Sequence, residues 1–137
     1  MIDNLSSGKR KIDKLVARAV SVLENSPEIS LELLIRALNS AAETEYKEAE
    51  AAAHYQLGRV YTALGNYPDS VKHLKAALPI YETLDDKESQ MNALSLLGMN
   101  LAYLGNSSDA LKNTFAALEI SEKNGYDTFT AKLLNNL

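Results

Sequence analysis

Apolar residues recur three and four positions apart along most of the chain, and polar residues occupy the positions between them. Leu57 and Tyr61 show this spacing in one segment, and Leu97 and Leu101 repeat it further along. Residues spaced in this way share one face of an α-helix, whereas a half-buried strand would alternate at every second residue. The pattern therefore predicts an all-α chain without a β-sheet.

Turn-forming residues divide the helical pattern into segments. Asn25, Ser26 and Pro27 form the first break, with Ser26 predicted as an N-cap and Pro27 as the first helical residue. Gly65 and Gly105 follow later segments and are predicted to end helices in a left-handed cap. Seven helices are predicted, at about residues 11–24, 27–43, 47–64, 68–84, 87–104, 107–124 and from 128 onward.

A phrase centred on glycine occurs twice, at residues 57–66 and 97–106. Gly58 and Gly98 are 40 positions apart, and the same offset separates Gly65 from Gly105. A fixed period between about 20 and 50 residues is typical of stacked repeat proteins, which act by presenting a surface. The repeat therefore indicates a binding protein rather than an enzyme, and no Ser, His and acid arrangement points to catalysis.

An earlier and less regular copy precedes these two. Its second helix aligns at the 40-residue offset, but its first helix aligns better at 41, where Ala17 corresponds to Gly58. This alignment predicts that Val16, Ala17 and Val20 face the core of the first repeat.

The repeated phrases resemble the tetratricopeptide repeat, a unit of two antiparallel helices. The family's first helix carries a large residue, then Leu-Gly three positions on, and then Tyr. The matching positions are His54, Leu57, Gly58 and Tyr61. The family's second helix has a small residue where the two helices cross, and Ala77 and Ala117 match it. The resemblance implies an all-α, right-handed α-solenoid of three antiparallel helix pairs plus a truncated seventh helix.

The period and the expected boundaries refine this resemblance. A period of 40 residues exceeds the family's usual length of about 34. It resembles the long variant found in sensory regions of bacterial signalling proteins, which also carry phrases like residues 134–137. We expect a flexible arm at 1–10, repeats at about 11–46, 47–86 and 87–126, and the start of a fourth at 127–137. The resemblance implies the N-terminal regulatory part of a protein such as a diguanylate cyclase or a histidine kinase.

Composition narrows the choice of partners. The net charge of −4 argues against general nucleic-acid binding. The chain contains no Cys, which excludes disulfides and thiolate metal sites and fits a reducing cytoplasm. No apolar run approaches the roughly 18 residues of a membrane span. His54 and His73 lack the spacing of metal ligands, so we expect no metal, no cofactor, and a protein or peptide as the partner.

Basic and polar residues on the first helix of each repeat form the candidate binding site. Lys11, Lys14 and Arg18 are spaced three and four apart and share one face. In the family the matching row lines the concave groove, which implies a peptide-binding site. Its expected residues are Lys11, Lys14, Arg18, Tyr55, Gln56, Arg59, Asn92 and Met99. The cations would hold a carboxylate or an acidic stretch of an extended peptide; alternatively, such long basic side chains form an ordinary solvated face.

Self-assembly is the alternative function. Repeat arrays need polar caps at both ends, yet the last predicted helix carries Leu133, Leu134 and Leu137 with no following helix. These residues are predicted to form an exposed apolar edge through which the protein would form a homodimer or a larger scaffold.

Overall fold

A computed structural model describes the backbone of residues 2–136 and the side chains of residues 7–135. Within this range the chain forms seven α-helices and no strand, which confirms the all-α prediction. The helices are α1 (Ile2–Val22), α2 (Pro27–Glu43), α3 (Lys47–Ala63), α4 (Tyr67–Thr83), α5 (Lys87–Tyr103), α6 (Ser107–Lys123) and α7 (Asp127–Asn136).

Short turns with defined capping groups separate the helices. The side chains of Asn66 and Asn106 accept hydrogen bonds from backbone N–H groups three residues later, which satisfies donors at the start of α4 and α6. Gly65 and Gly105 have φ angles of 74° and 81°, which confirms the predicted left-handed caps. Ser26 occupies the N-cap position of α2 as predicted, but its side chain makes no capping hydrogen bond.

The predicted start of the first helix, near residue 11, is wrong. α1 begins at Ile2, so residues 2–10, which were predicted to be a flexible arm, are helical in the structure. Lys9 in this extension lies over the ring of Tyr46, with Nζ 4.9 Å from the ring centroid.

Consecutive helices pack against one another, and α1 also contacts α3, as α3 contacts α5. This arrangement is an α-solenoid of antiparallel pairs α1–α2, α3–α4 and α5–α6, followed by α7. Each of the four central helices contributes one fully buried or almost fully buried leucine to a core that continues through the stack. These are Leu34, Leu57, Leu74 and Leu97.

Glycine lies where the two helices of a pair cross. A Cβ atom built on Gly58 would lie 2.7 Å from the side chain of Leu74. One built on Gly98 would lie 2.5 Å from Oγ1 of Thr114 and 3.0 Å from the carbonyl oxygen of Ala110. Only a residue without a side chain allows these helices to approach so closely, as the sequence predicted.

The first helix pair has a different register from the predicted one. In the second pair, Ser70 Oγ donates to the carbonyl oxygen of Gly58 over 2.7 Å. Ser30, which lies 40 positions before Ser70, donates to the carbonyl oxygen of Ala19 over 2.8 Å. Ala19 therefore occupies the place of Gly58, and the predicted alignment of Ala17 with that glycine is wrong.

This two-residue shift changes which face of α1 is buried, because two residues rotate a helix by more than half a turn. Ile12, Ala19 and Leu23 form the buried row, with Ala19 fully buried. Ala17 is exposed and Val20 is 40% exposed, so the core row predicted from the sequence is wrong at both positions.

Candidate functional site

The corrected register moves the basic row of α1 away from the concave groove. Lys14 now corresponds to Ala53 of α3, and Arg18 corresponds to Leu57. Both α3 residues are fully buried, and Leu57 packs in a cluster with Leu33 of α2. In the part of the chain that the structure describes, no helix covers the corresponding face of α1, so Lys14 and Arg18 are exposed.

The basic row lines a recess of about 590 Å³ between α1 and α2, which we call the N-terminal recess. Ile12 and Leu15 supply its apolar floor, and Ile12 is almost fully buried. The charged residues that line it are Lys11, Lys14, Arg18, Arg36 and Glu43. Arg36 was not predicted as a site residue, because its place beside the basic row of α1 becomes visible only in the packed pair.

Three other predicted residues come together in a second groove of about 760 Å³. Tyr55 of α3 and Asn92 and Met99 of α5 line this Tyr55 groove, together with residues of α6 and α7. Phe129 and Lys132 of α7 complete it and were not predicted, although Lys132 lies 40 positions after the predicted groove residue Asn92. The predicted site is therefore divided between two surfaces at different places on the solenoid.

Gln56 and Arg59 bind each other beside the Tyr55 groove. Arg59 Nη1 donates to Gln56 Oε1 over 2.8 Å, and neither side chain lines the groove itself. Burial raises the pKa of Tyr55, and the nearby charge of Arg59 opposes that rise. The Tyr55 hydroxyl is therefore protonated at neutral pH and can donate a hydrogen bond.

Thr62 lies on the same face of α3 as Tyr55 and Arg59, but its hydroxyl is already hydrogen-bonded within the protein and is not free for a ligand. Its hydroxyl donates to the carbonyl oxygen of Gly58 over 2.7 Å and accepts from Nδ2 of Asn100 over 2.9 Å. Asn100 is fully buried and also donates to the carbonyl oxygen of Leu96. This network connects α3 to α5, and a polar residue among apolar ones was the only sequence signal for it.

Several large apolar side chains of α5, α6 and α7 are exposed, and two of them, Met99 and Leu111, line the Tyr55 groove. We define the apolar edge by four residues with large exposed side chains: Met99, Leu111, Phe115 and Leu134. Val71, which corresponds to Leu111 in the preceding repeat, packs partly buried against the core cluster of α4 and α5. Leu111 itself is 49% exposed near the start of α6.

The predicted C-terminal edge needs correction at one leucine. Leu133 is only 3% exposed and packs with Met91 and Ala117, so its predicted place on an exposed edge is wrong. Leu134 is 53% exposed, as predicted. Leu137 lies outside the described residues.

The two histidines form a pair between α3 and α4. Their Nδ1 atoms are 3.0 Å apart, and Tyr61 stacks on His73 with ring centroids 5.6 Å apart. Burial lowers the pKa of His54, and its neighbour His73 adds to the effect. Burial also lowers the pKa of His73, with Lys72 adding to it. One ring nitrogen must donate and the other accept, so the contact requires that both rings stay neutral or share one proton.

Neither histidine has the surroundings of a metal centre. Across the described residues, no group of three or more His, Cys, Asp or Glu side chains is placed to hold a metal ion. A search of the same part of the chain also finds no helix long and apolar enough to cross a membrane.

The comparisons with known proteins agree with this architecture. The TPR domain of Arabidopsis FLU, a solved structure, matches with a TM-score of 0.79 at 19% sequence identity, over 85% of this chain and 98% of that one. At that identity the likeness shows the fold. A search of curated proteins found no match. A family model for the tetratricopeptide repeat matches residues 24–83 and 49–123. Because these matches cover more than half of the residues, the chain belongs to the tetratricopeptide repeat family.

Proposed function

We propose that the protein is a non-catalytic interaction module that binds a peptide or a domain of a partner protein in the Tyr55 groove. Membership of the family supports protein or peptide binding in general. The observation that carries the specific proposal is that Tyr55, Asn92 and Met99, from two successive repeats, line one groove of about 760 Å³.

The chemistry of the groove fits an extended segment with apolar side chains. Met99 is 42% exposed, and its flexible thioether adapts to apolar groups of different shapes. Leu111 and Phe129 extend the apolar wall. The Asn92 amide can both donate to and accept from a peptide backbone. Lys132 supplies a cation that suits an acidic residue or a carboxyl terminus of the ligand.

We place this module in the cytoplasm, as the N-terminal regulatory or sensory part of a bacterial signalling protein such as a diguanylate cyclase or a histidine kinase. The 40-residue period and the phrase at residues 134–137 support this context through the resemblance described above. The coding sequence that follows codon 137 tests it. A cyclase or kinase domain there would support the assignment, and an unrelated domain or a stop codon would contradict it.

A matched pair of surface substitutions tests the Tyr55 groove. Met99→Glu places a charge in the apolar wall, whereas Ile35→Glu places one on α2 outside both grooves. The two side chains have similar exposure, 42% and 43%, so their effects on folding should be comparable.

Both variants and the wild type would be used to recover partners from an extract of the source organism, with quantification by mass spectrometry. We expect Met99→Glu to lose partners that Ile35→Glu retains. Equal recovery by Met99→Glu and the wild type, with both folded by circular dichroism, would exclude the Tyr55 groove.

Homodimerisation is the second candidate function, and the apolar edge favours it. Leu111 and Phe115 are about half exposed on adjacent turns of α6. Lys75 occupies the position of Phe115 in the preceding repeat, so the scaffold accepts a lysine there. Light scattering on the wild type and on Phe115→Lys tests this function. A dimer that dissociates in the variant supports it, and a wild-type monomer at all concentrations contradicts it.

A further inference from the structure

We infer that the N-terminal recess is a second binding surface, for an acidic amphipathic helix of a partner protein. It goes beyond the proposed function, because Lys11, Lys14, Arg18 and Arg36 line a cavity that shares no residue with the Tyr55 groove.

The repeat itself indicates a helix as the ligand. Ala53 and Leu57 of α3 are fully buried, and Leu57 packs against α2. Ala93 and Leu97 of α5 occupy the same positions one repeat later and are also buried. Within residues 7–135, the preceding helix covers this face in each of α3, α5 and α7. The same face of α1 occupies the place that a helix covers in the later repeats, and no helix covers it within the described residues.

The charges indicate that the arriving helix is acidic. Four cations and one carboxylate, Glu43, line the N-terminal recess, although the whole chain has a net charge of −4. None of the ion pairs found between side chains of residues 7–135 involves these cations. Asp13, the acidic residue of α1 nearest to Lys14 in sequence, instead accepts a hydrogen bond from the Tyr46 hydroxyl over 2.9 Å.

A solvated surface alone would not need an excess of cations over carboxylates. Any polar residues would keep the end of the solenoid soluble. A cluster of one sign attracts and orients a partner of the opposite sign. The apolar floor of Ile12 and Leu15 adds a reason for the partner to be amphipathic rather than simply polyanionic.

The size of the recess sets the length of helix required. The row from Lys11 to Arg18 spans about 10 Å, or two helical turns. A suitable probe is a stapled, fluorescein-labelled helical peptide of about 18 residues, long enough to remain helical. Leucines would recur three and four residues apart on one face, with glutamates beside them.

Fluorescence anisotropy at about 0.1 M salt would measure binding of this peptide to the full 137-residue chain. We expect Lys14→Glu/Arg18→Glu to weaken binding about tenfold or more, because both contacts become repulsive. The control is Lys75→Glu/Lys112→Glu, which makes the same change in net charge at exposed positions outside both cavities. It should bind like the wild type, as should Met99→Glu.

Two further measurements separate this proposal from its alternatives. A peptide with serine in place of leucine should bind more weakly, and phosphatidylserine vesicles should not compete. Equal weakening by the two double variants, no binding at all, or unchanged binding of the serine peptide would overturn the proposal. Loss of binding in Met99→Glu would assign the peptide to the Tyr55 groove instead, and competition by the vesicles would favour a membrane surface.

Discussion

Substitution of Gly98 by alanine tests the close helix crossing on which the stack depends. The added Cβ atom would lie 2.5 Å from Oγ1 of Thr114 and 3.0 Å from the carbonyl oxygen of Ala110. Thr114 Oγ1 already donates to that carbonyl over 2.8 Å. The side chain of Thr114 could rotate away only by giving up this hydrogen bond, and the carbonyl oxygen of α6 cannot rotate away.

Two opposing effects determine the change in the free energy of unfolding. Alanine is favoured over glycine inside a helix by about 1 kcal/mol. Overpacking a close contact costs about 1–3 kcal/mol, and the lost Thr114 hydrogen bond costs about 1 kcal/mol more. The steric cost should prevail, so we expect Gly98→Ala to be less stable than the wild type by roughly 1–3 kcal/mol.

Gly8 provides the matched control. It lies inside α1, and a Cβ atom built on it has no neighbouring atom within 4 Å. Gly8→Ala should therefore show only the helix preference and gain roughly 0.5–1 kcal/mol. Urea denaturation followed by circular dichroism measures both changes.

A second substitution tests the cause of the expected loss. Adding Thr114→Ala to Gly98→Ala removes the nearest clashing atom and should recover part of the stability, through a coupling of roughly 0.5 kcal/mol or more. If Gly98→Ala gained as much stability as Gly8→Ala, the helices would not approach as closely as the structure shows, and the reasoning would fail.

Three other measurements test the packing and the histidine pair. Ala117 is fully buried, so Ala117→Leu should lower the free energy of unfolding by about 1–3 kcal/mol, measured by urea denaturation. In α1, Ala19→Leu should cost a similar roughly 1–3 kcal/mol while the exposed Ala17→Leu changes stability by less than about 0.5 kcal/mol; the reverse order would restore the register predicted from the sequence. The pKa values of His54 and His73 are lowered from 6.5, so the unfolded chain binds more protons than the folded one below about pH 6.5. Stability should therefore fall as the pH drops below 6.5, and a His54→Gln/His73→Gln variant should lose this dependence.

The regular part of the fold was predictable because the same phrase occurs twice. Gly58 and Gly98 identify the crossings, and Gly65 and Gly105 mark the helix ends, so α3 to α6 begin and end within a residue or two of the predicted bounds. Each glycine is needed for a local reason, either close approach or a positive φ angle. Such residues leave a signal that a single sequence can show.

The first helix was not predictable to the same degree. It has no glycine at the crossing, and both Ala17 and Ala19 are small enough to occupy it. The choice between them is made by Ser30, which reaches the carbonyl oxygen of Ala19 from the opposite helix. Ser70 makes the same contact with Gly58, but the two partners are 12 residues apart there and 11 apart in the first pair, so the repeat alone does not show which residue of α1 Ser30 meets. The error at Ala17 carried over to Lys14 and Arg18, which were assigned to the concave groove with Tyr55.

Leu133 shows a different kind of error, because the sequence did contain the needed signal. It lies 40 positions after Ala93, which is fully buried in the structure. The repeat itself thus places Leu133 on the face that packs against the preceding helix. Leu133 and Leu134 are adjacent on α7 and point in directions about 100° apart, so Leu133 is buried while Leu134 is exposed.

The basic row of α1 and the apolar edge differ in chemistry, and this difference limits how copies of this 137-residue chain can assemble. Head-to-tail stacking would cover Lys14 and Arg18 with the last helices of another copy, and a buried cation without a partner is strongly unfavourable. Two apolar edges can meet around a twofold axis without this cost, and such a contact closes on itself. We therefore expect light scattering at rising concentration to show species no larger than a dimer. Replacing Lys14 and Arg18 with leucine would remove these charges from α1 and should produce larger assemblies. Open-ended assemblies of the wild-type chain would show that the basic row does not prevent stacking.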